Sequence, residues 1–228
     1  DSFAVSKAVK KQFTADTGFA LQIKHLGDAG KLYAATILAG NQPVADAVYG
    51  IDNSLLMQRP AGDLFSQLVP IDYGYVCVNI DNEYFDETTL PRPTSLLDLI
   101  RPEYKGLLAV EDAAASSPGL AFLLATRSKF GAGWQDYWQK LMANGTFVAN
   151  DWSEAYLTQF TAGGDGSYPL VVSYSTSPAA EIIYGGDSAP EVPRTSVLDD
   201  GCFKQTEYAG ILSASKNQAG AKQILNWL

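Results

Sequence analysis

Residues 151–186 have the sequence DWSEAYLTQFTAGGDGSYPLVVSYSTSPAAEIIYGG, the most informative stretch of the chain. Trp152 and Tyr156 lie four residues apart on one segment, and the apolar run 169–174 predicts a buried strand. A hydroxyl-rich turn at residues 175–178 then opens a helix. Aromatic rings can stack on a flat or cationic ligand, and N–H groups at a helix start can receive an anion. The order of these parts predicts a small-molecule site at the end of a strand.

Six short blocks follow one another along the chain. They are DSF at 1–3, ADAVYGIDN at 45–53, VPIDYGY at 69–75, SSPGL at 116–120, DWSEAY at 151–156 and SYSTSPA at 173–179. Each block alone is weak evidence, but six in this order are specific. Together they resemble the thiamine-binding solute-binding proteins of ABC importers.

The resemblance implies an α/β, two-lobed fold of the type II periplasmic-binding-protein kind, with a mixed sheet flanked by helices in each lobe and a ligand cleft between the lobes. Lobe 1 is expected to span residues 1–76 and lobe 2 residues 77–208, with crossing strands near 75–79 and 206–212. Residues 209–228 are expected to return to lobe 1. We also expect the chain to be truncated at both ends, without a signal peptide and without the family's last pocket segment.

Periodicity predicts alternating helices and strands, a rhythm typical of an open α/β sheet with ligand residues beyond the strand ends. Helices are predicted over 5–17, 29–38, 94–100, 119–130, 135–145, 178–184 and 218–228, and strands over 21–26, 45–51, 70–81, 107–110, 171–174 and 206–212. Gly18 and Gly40 are expected to end the first two of these helices.

Composition excludes several functions. The 228-residue chain has a net charge of −9, so it offers no basic surface for phosphates and no nucleic-acid partner is expected. An acidic surface suits attraction of a cation, although solubility explains it equally well. No apolar run reaches the length of a membrane span. The single histidine, His25, leaves no His-based metal cluster or catalytic triad.

Two cysteines, Cys77 and Cys202, lie 125 residues apart, too far for a CxxC redox or zinc motif. Both fall in strand-like runs. In an exported protein, as the resemblance implies, such a pair is better explained as a disulfide. Two separate buried thiols are the alternative.

Trp152 and Tyr174 are the candidate ring contacts for a cationic ligand. The alternative is that Tyr174 only ends a core strand and Trp152 packs beneath the next helix. A phosphate or hydroxyl group of the ligand could be received at helix starts by Ser116, Ser117 and Ser177. The alternative is that these serines are simply N-caps, which for Ser177 is the ordinary explanation because Pro178 follows.

Carboxylates could accept a bond from an amino group of the ligand or balance its positive charge. The candidates are Asp1, Asp52 and Asp72, and the VPIDYGY block adds Tyr73. For Asp52, which precedes Asn53 after a strand, a structural Asx-turn is an equal alternative.

The resemblance therefore implies a non-enzymatic, monomeric binding subunit of an ABC importer, located in the periplasm or lipid-anchored on the outer face of the cell membrane. Its partners would be thiamine or a thiamine phosphate and the membrane subunits of the transporter. No catalytic residue, metal or cofactor is expected. A binding protein for another organic cation, such as a polyamine, is one alternative. A thiaminase-like enzyme with Cys77 as nucleophile is the other.

Overall fold

Two long strands carry the chain between two compact units. The computed structural model describes residues 5–58, 62–186 and 189–228. Unit 1 contains the chain up to Asp72 together with Thr206–Leu228, and unit 2 is Tyr73–Gln205. Both divisions fall within strands, one in β2 (Phe65–Asp81) and one in β6 (Thr195–Leu212). The predicted lobe boundaries, after residues 76 and 208, lie on the same two strands. The interlobe cleft stays a prediction.

Unit 1 combines helices with short stretches of sheet. Its elements are α1 (Lys7–Thr17), α2 (Ala29–Ala39), β1 (Ala47–Asp52), α3 (Asn53–Gln58), a 3-10 turn at Gly62–Leu64, the first part of β2, the end of β6 and α8 (Gln218–Trp227). β1 pairs with β6 in antiparallel register, with Ala47 opposite Ile211. The inward side of β6 packs on α8 through Ala209, Ile211 and Leu225, which forms one of the two apolar clusters of this unit.

Helix α1 ends where its sequence predicts and begins at Lys7, two residues after the predicted start. The Ser6 hydroxyl accepts a hydrogen bond from the Val9 amide at 3.2 Å and caps the first turn. Gly18 follows the last turn with φ of 77°, a left-handed conformation that glycine adopts without steric cost. The helix is held in unit 1 by Phe13, whose ring meets the edge of Trp227 at 5.5 Å.

The predicted strand at 21–26 is wrong. These residues form no ladder with any strand in the part of the chain that the structure describes. They do alternate between partly buried and exposed positions, as far as residue 24. Residues 19–27 and residues 44–49, which include the first three residues of β1, line the same cavity of about 430 Å³. Alternation shows which side chains face inward, but a strand also needs a neighbour whose backbone is within hydrogen-bonding distance.

Unit 2 contains the larger part of the sheet. Its elements are the end of β2, 3-10 turns at Asp98–Ile100 and Pro102–Tyr104, β3 (Leu108–Glu111), α4 (Ser117–Phe130), α5 (Trp134–Ala143), β4 (Phe147–Ala149), α6 (Trp152–Glu154) with a π-helical turn at Ala155–Gln159, β5 (Leu170–Tyr174), α7 (Ser177–Tyr184) and the first part of β6. β2 is antiparallel to β5, whereas β3 is parallel to both β5 and β4. The three-residue β4 was not predicted, because so short a run carries no clear periodicity.

The sheet of unit 2 is covered on both faces. On one face Val76, Val78 and Val172 belong to the main apolar cluster, which includes side chains from α4 and α5. On the other face Val171 packs in a smaller cluster with Ala155 of the π-helical turn. Burial on both faces explains why β5 reads as a continuous apolar run instead of an alternating one.

One predicted helix is shorter than expected. Residues 94–100 form only a 3-10 turn, Asp98–Ile100. The Asp98 carboxylate accepts from the amides of Thr94 and Ser95, each at 2.9 Å, so the polar residue that organises this turn lies inside it and not before it. Among the described residues, no helix has both the length and the apolar character that crossing a bilayer requires.

The predicted disulfide is confirmed. Cys77 on β2 and Cys202 on β6 are bonded, with their Cα atoms 4.4 Å apart. Both residues belong to unit 2, and Cys77 is fully buried. Because the chain has only these two cysteines, it holds no free thiol.

Candidate ligand-binding site

Three helices of unit 2 start at the same edge of the sheet. Strands β3, β4 and β5 run parallel, so their carboxyl ends lie together, and they are followed by α4, α6 and α7 respectively. In open α/β sheets, ligands bind beyond the carboxyl ends of the strands. Five predicted site residues lie at the end of β5 or at these helix starts: Ser116, Ser117, Trp152, Tyr174 and Ser177.

Aromatic rings cluster at the end of β5. Trp152 stacks on Tyr156, with ring centroids 5.1 Å apart and planes 14° from parallel. Tyr174 lies 6.3 Å from Trp152 at an angle of 53°. All three side chains are only partly buried, and Tyr174 also packs against the main core. Because Tyr156 covers one face of the Trp152 indole, that face is closed to a ligand.

A chain of hydroxyl groups lies beneath these rings. The Trp152 Nε1–H group donates to Ser173 Oγ at 2.9 Å, and Ser173 Oγ is 3.2 Å from Ser177 Oγ. The Ser177 hydroxyl also lies near the Tyr156 phenol. Burial raises the pKa of Tyr156, with the nearby Ser177 hydroxyl opposing that rise, so the phenol is neutral at physiological pH.

The prediction that Ser177 caps α7 is wrong. Thr176 occupies the capping position, and it makes no side-chain capping bond. Ser177 is instead the first helical residue, 6% exposed, with its hydroxyl directed to Ser173. A buried hydroxyl on the neighbouring strand competes with the backbone for the serine side chain, and here the Ser177 hydroxyl bonds to the strand.

The start of α4 carries two buried serines. Ser116 occupies the capping position but makes no capping bond, and its Oγ has no hydrogen-bond partner among the described residues although it is 1% exposed. A buried hydroxyl without a partner is uncommon and costs about 1–3 kcal/mol. Ser117 follows as the first helical residue and is also buried. The turn packs closely on β3, because a Cβ atom on Gly119 would lie 2.4 Å from the Glu111 carbonyl oxygen.

Two predicted carboxylates belong to unit 1. Asp52 is fully buried, and its Oδ1 accepts from the Ser54 amide at 2.7 Å and the Leu55 amide at 3.1 Å. These bonds begin α3, as the alternative Asx-type explanation predicts. The exposed Asp72 accepts from the Tyr49 hydroxyl at 3.1 Å. Burial, followed by the charge of Asp72, raises the pKa of Tyr49.

The two remaining candidates do not join the cluster. Tyr73, in unit 2, is 67% exposed, and the Lys204 ammonium lies 4.4 Å from its ring centroid. This ring therefore already has a cation over one face. Asp1 lies outside the described residues.

Two members of the cluster were missed as site residues. Tyr156 carried a signal, since its spacing of four from Trp152 places both rings on one side of a helical turn. Ser173 carried none, because a serine in a buried strand is indistinguishable by sequence from any small core residue. Its role depends on Trp152, which is 21 residues away.

Metal and thiol chemistry find little support in the described residues. No group of three or more His, Cys, Asp and Glu side chains that could hold a metal ion occurs among residues 5–58, 62–186 and 189–228. Cys77, the nucleophile that a thiaminase-like mechanism would need, has no thiol because it is bonded to Cys202.

Comparison with known proteins gives a consistent result. A family model described as bacterial extracellular solute-binding protein matches residues 54–182. The thiamine-binding periplasmic protein of Salmonella typhimurium is 32% identical over 251 residues, covering 100% of this chain and 73% of that protein. Its counterpart in Escherichia coli is 30% identical with the same coverage. A solved periplasmic thiamin binding protein superposes with a TM-score of 0.80 at 29% identity, covering 94% of this chain and 70% of that one. This likeness confirms the predicted α/β fold class.

Proposed function

This chain belongs to the bacterial extracellular solute-binding protein family, and on that premise we propose that it binds thiamine or a thiamine phosphate as the substrate-binding subunit of an ABC importer. Two relatives named for thiamine binding align with the whole chain, which supports this choice of ligand. The observation that carries the proposal is the aromatic cluster at the end of β5.

The cluster offers a surface suited to a flat cation. The Trp152 indole and the tilted ring of Tyr174 lie near each other, with centroids 6.3 Å apart. Thiamine contains a cationic thiazolium and a flat aminopyrimidine, and a cation over an aromatic face contributes about 0.5–2 kcal/mol. The net charge of −9 also favours the approach of a cation.

The start of α4 provides a place for the other end of the ligand. Ser116 and Ser117 lie at the amino end of a 14-residue helix, where backbone N–H groups and the helix dipole favour an anion or a hydroxyl oxygen. The Ser116 hydroxyl, which has no hydrogen-bond partner among the described residues, would gain one from the ligand. We propose that these serines, with Ser177, receive the hydroxyethyl or phosphate group.

The remaining predicted contacts stay proposals. Asp72 and Tyr73 are exposed and could reach a ligand, whereas Asp52 already receives the first amides of α3, which makes it the weakest candidate. We further propose a monomeric, extracytoplasmic protein without enzymatic activity, whose partners are the membrane subunits of the importer.

Calorimetry tests this function directly. Thiamine is expected to bind with micromolar affinity or better, about −8 kcal/mol. Trp152→Ala should weaken binding by about 1–3 kcal/mol through lost ring contact. Trp134→Ala, at the start of α5, is the matched control and should bind like the wild type. Equal affinity of the Trp152 and Trp134 variants would reject the site.

Titrations with other ligands separate the alternatives. Thiamine pyrophosphate should bind at least as well as thiamine if the α4 start receives a phosphate. A polyamine such as spermidine lacks an aromatic ring and should bind weakly. Tight binding of spermidine without binding of thiamine would reject the proposed ligand and leave only the fold and the family.

A further inference from the structure

We propose that Ser173 is a positioning residue of the ligand site, which holds the Trp152 indole in its binding orientation by accepting the Nε1–H hydrogen bond. The ligand part of this inference rests on the proposed function. Ser173 itself does not reach the surface, since it is 0% exposed, and acts only through the ring.

The direction of the hydrogen bonds follows from the chemistry of the groups. An indole nitrogen can only donate, so Ser173 Oγ must accept from Trp152 at 2.9 Å. The Ser173 hydroxyl hydrogen is then available to Ser177 Oγ at 3.2 Å. The Trp152 ring is therefore bonded to β5 and, through Ser173, linked to the first residue of α7.

This arrangement constrains the Trp152 ring of the stacked pair. Stacking alone, at 5.1 Å and 14°, allows one ring to slide over the other. The bond from Nε1 to Ser173 fixes one edge of the Trp152 indole to β5, which removes that freedom. A ring already held in its binding orientation loses less conformational entropy when the ligand arrives.

The acceptor is itself held rigidly. Ser173 lies directly opposite Cys77 in the antiparallel pair of β2 and β5, so the two side chains are on the same face of the sheet. Cys77 is bonded to Cys202, which ties this position of β2 to β6. The Trp152 indole is therefore attached to a part of unit 2 that is both buried and crosslinked.

The contact itself can be tested without ligand. In ¹⁵N-labelled protein the Trp152 indole peak is identified by its absence from Trp152→Phe. Ser173→Ala should shift this peak and accelerate its exchange with water, because the acceptor is gone. Ser177→Ala should have a smaller effect, since the bond from Trp152 to Ser173 remains. Ser196→Ala is the matched control, since its hydroxyl bonds to Asn82 at 2.6 Å instead.

The consequence for binding is then measured by calorimetry. Ser173→Ala should weaken thiamine binding about three- to tenfold, and Ser173→Thr, which keeps the hydroxyl, should restore most of it. Ser196→Ala should bind like the wild type. An unchanged indole peak in Ser173→Ala would overturn the contact, and a changed peak with unchanged affinity would overturn the positioning role. If the wild type does not bind thiamine, the proposed function fails, while the indole peak still decides whether Ser173 holds the ring.

Discussion

Loss of the Cys77–Cys202 disulfide is expected to destabilise unit 2 strongly. The bond joins residues 125 apart in sequence, so its loop contains nearly all of Tyr73–Gln205. In the loop-entropy model, closing a loop of this length lowers the entropy of the unfolded chain enough to stabilise the folded state by about 5 kcal/mol at 25 °C. Measured losses on removing native disulfides are typically about 2–5 kcal/mol, which is the range we expect.

The same range converts into a melting temperature. With an unfolding entropy of about 2.1 cal/mol/K per residue, a unit of this size loses about 7–18 °C for a destabilisation of 2–5 kcal/mol. The double variant Cys77→Ala, Cys202→Ala should show this loss in guanidinium and thermal unfolding. Hydrogen exchange followed by mass spectrometry should show the larger loss of protection in peptides from Tyr73–Gln205.

Two measurements make this test decisive. The wild type should melt at the lower temperature only when reductant is present, while the double variant should be insensitive to reductant. Titration of the denatured, unreduced wild type with a thiol reagent should find no free thiol. Equal midpoints for oxidised wild type and double variant would refute the entropic reasoning, and two reactive thiols would refute the bond itself.

Two further substitutions test the packing of unit 2. Gly119→Ala should destabilise the protein by about 1–3 kcal/mol in urea unfolding, because its Cβ would lie 2.4 Å from the Glu111 carbonyl oxygen. Gly133→Ala, with open space around it, is the control. Equal losses of unfolding free energy in the two variants would contradict the close approach. Asp81→Asn should cost about 1–3 kcal/mol at pH 7, because the buried carboxylate pairs with Arg194 at 2.7 Å. Burial acts to raise the pKa of Asp81, but hydrogen bonds led by the one from Arg194 lower it. The wild type should therefore exceed the variant in free energy of unfolding by the full amount above about pH 4, and this difference should shrink as the pH falls through the folded-state pKa of Asp81. An advantage that is constant down to pH 2 would contradict this account.

The sequence by itself determined the features that depend on near neighbours. The stop at Gly18 needs only a glycine after a helical period, and the start of α4 needs only the SSPG turn. The disulfide could also be predicted from the sequence, because two cysteines in an exported protein allow a single pairing. The family followed from the order of six blocks, which is a property of the chain and not of its folding.

Tertiary structure decided the features that depend on a partner far away in sequence. Residues 21–26 alternate like a strand, yet no described strand lies beside them. Ser177 has the sequence context of a helix cap, yet its hydroxyl turns to Ser173 on the adjacent strand. Local periodicity records which side of a segment is apolar, but it carries no information about which backbone or hydroxyl will lie opposite. That depends on how the sheet brings its strands together, and so the hydrogen bonds that link Trp152 to Ser173 and Ser177 are visible only in the folded protein.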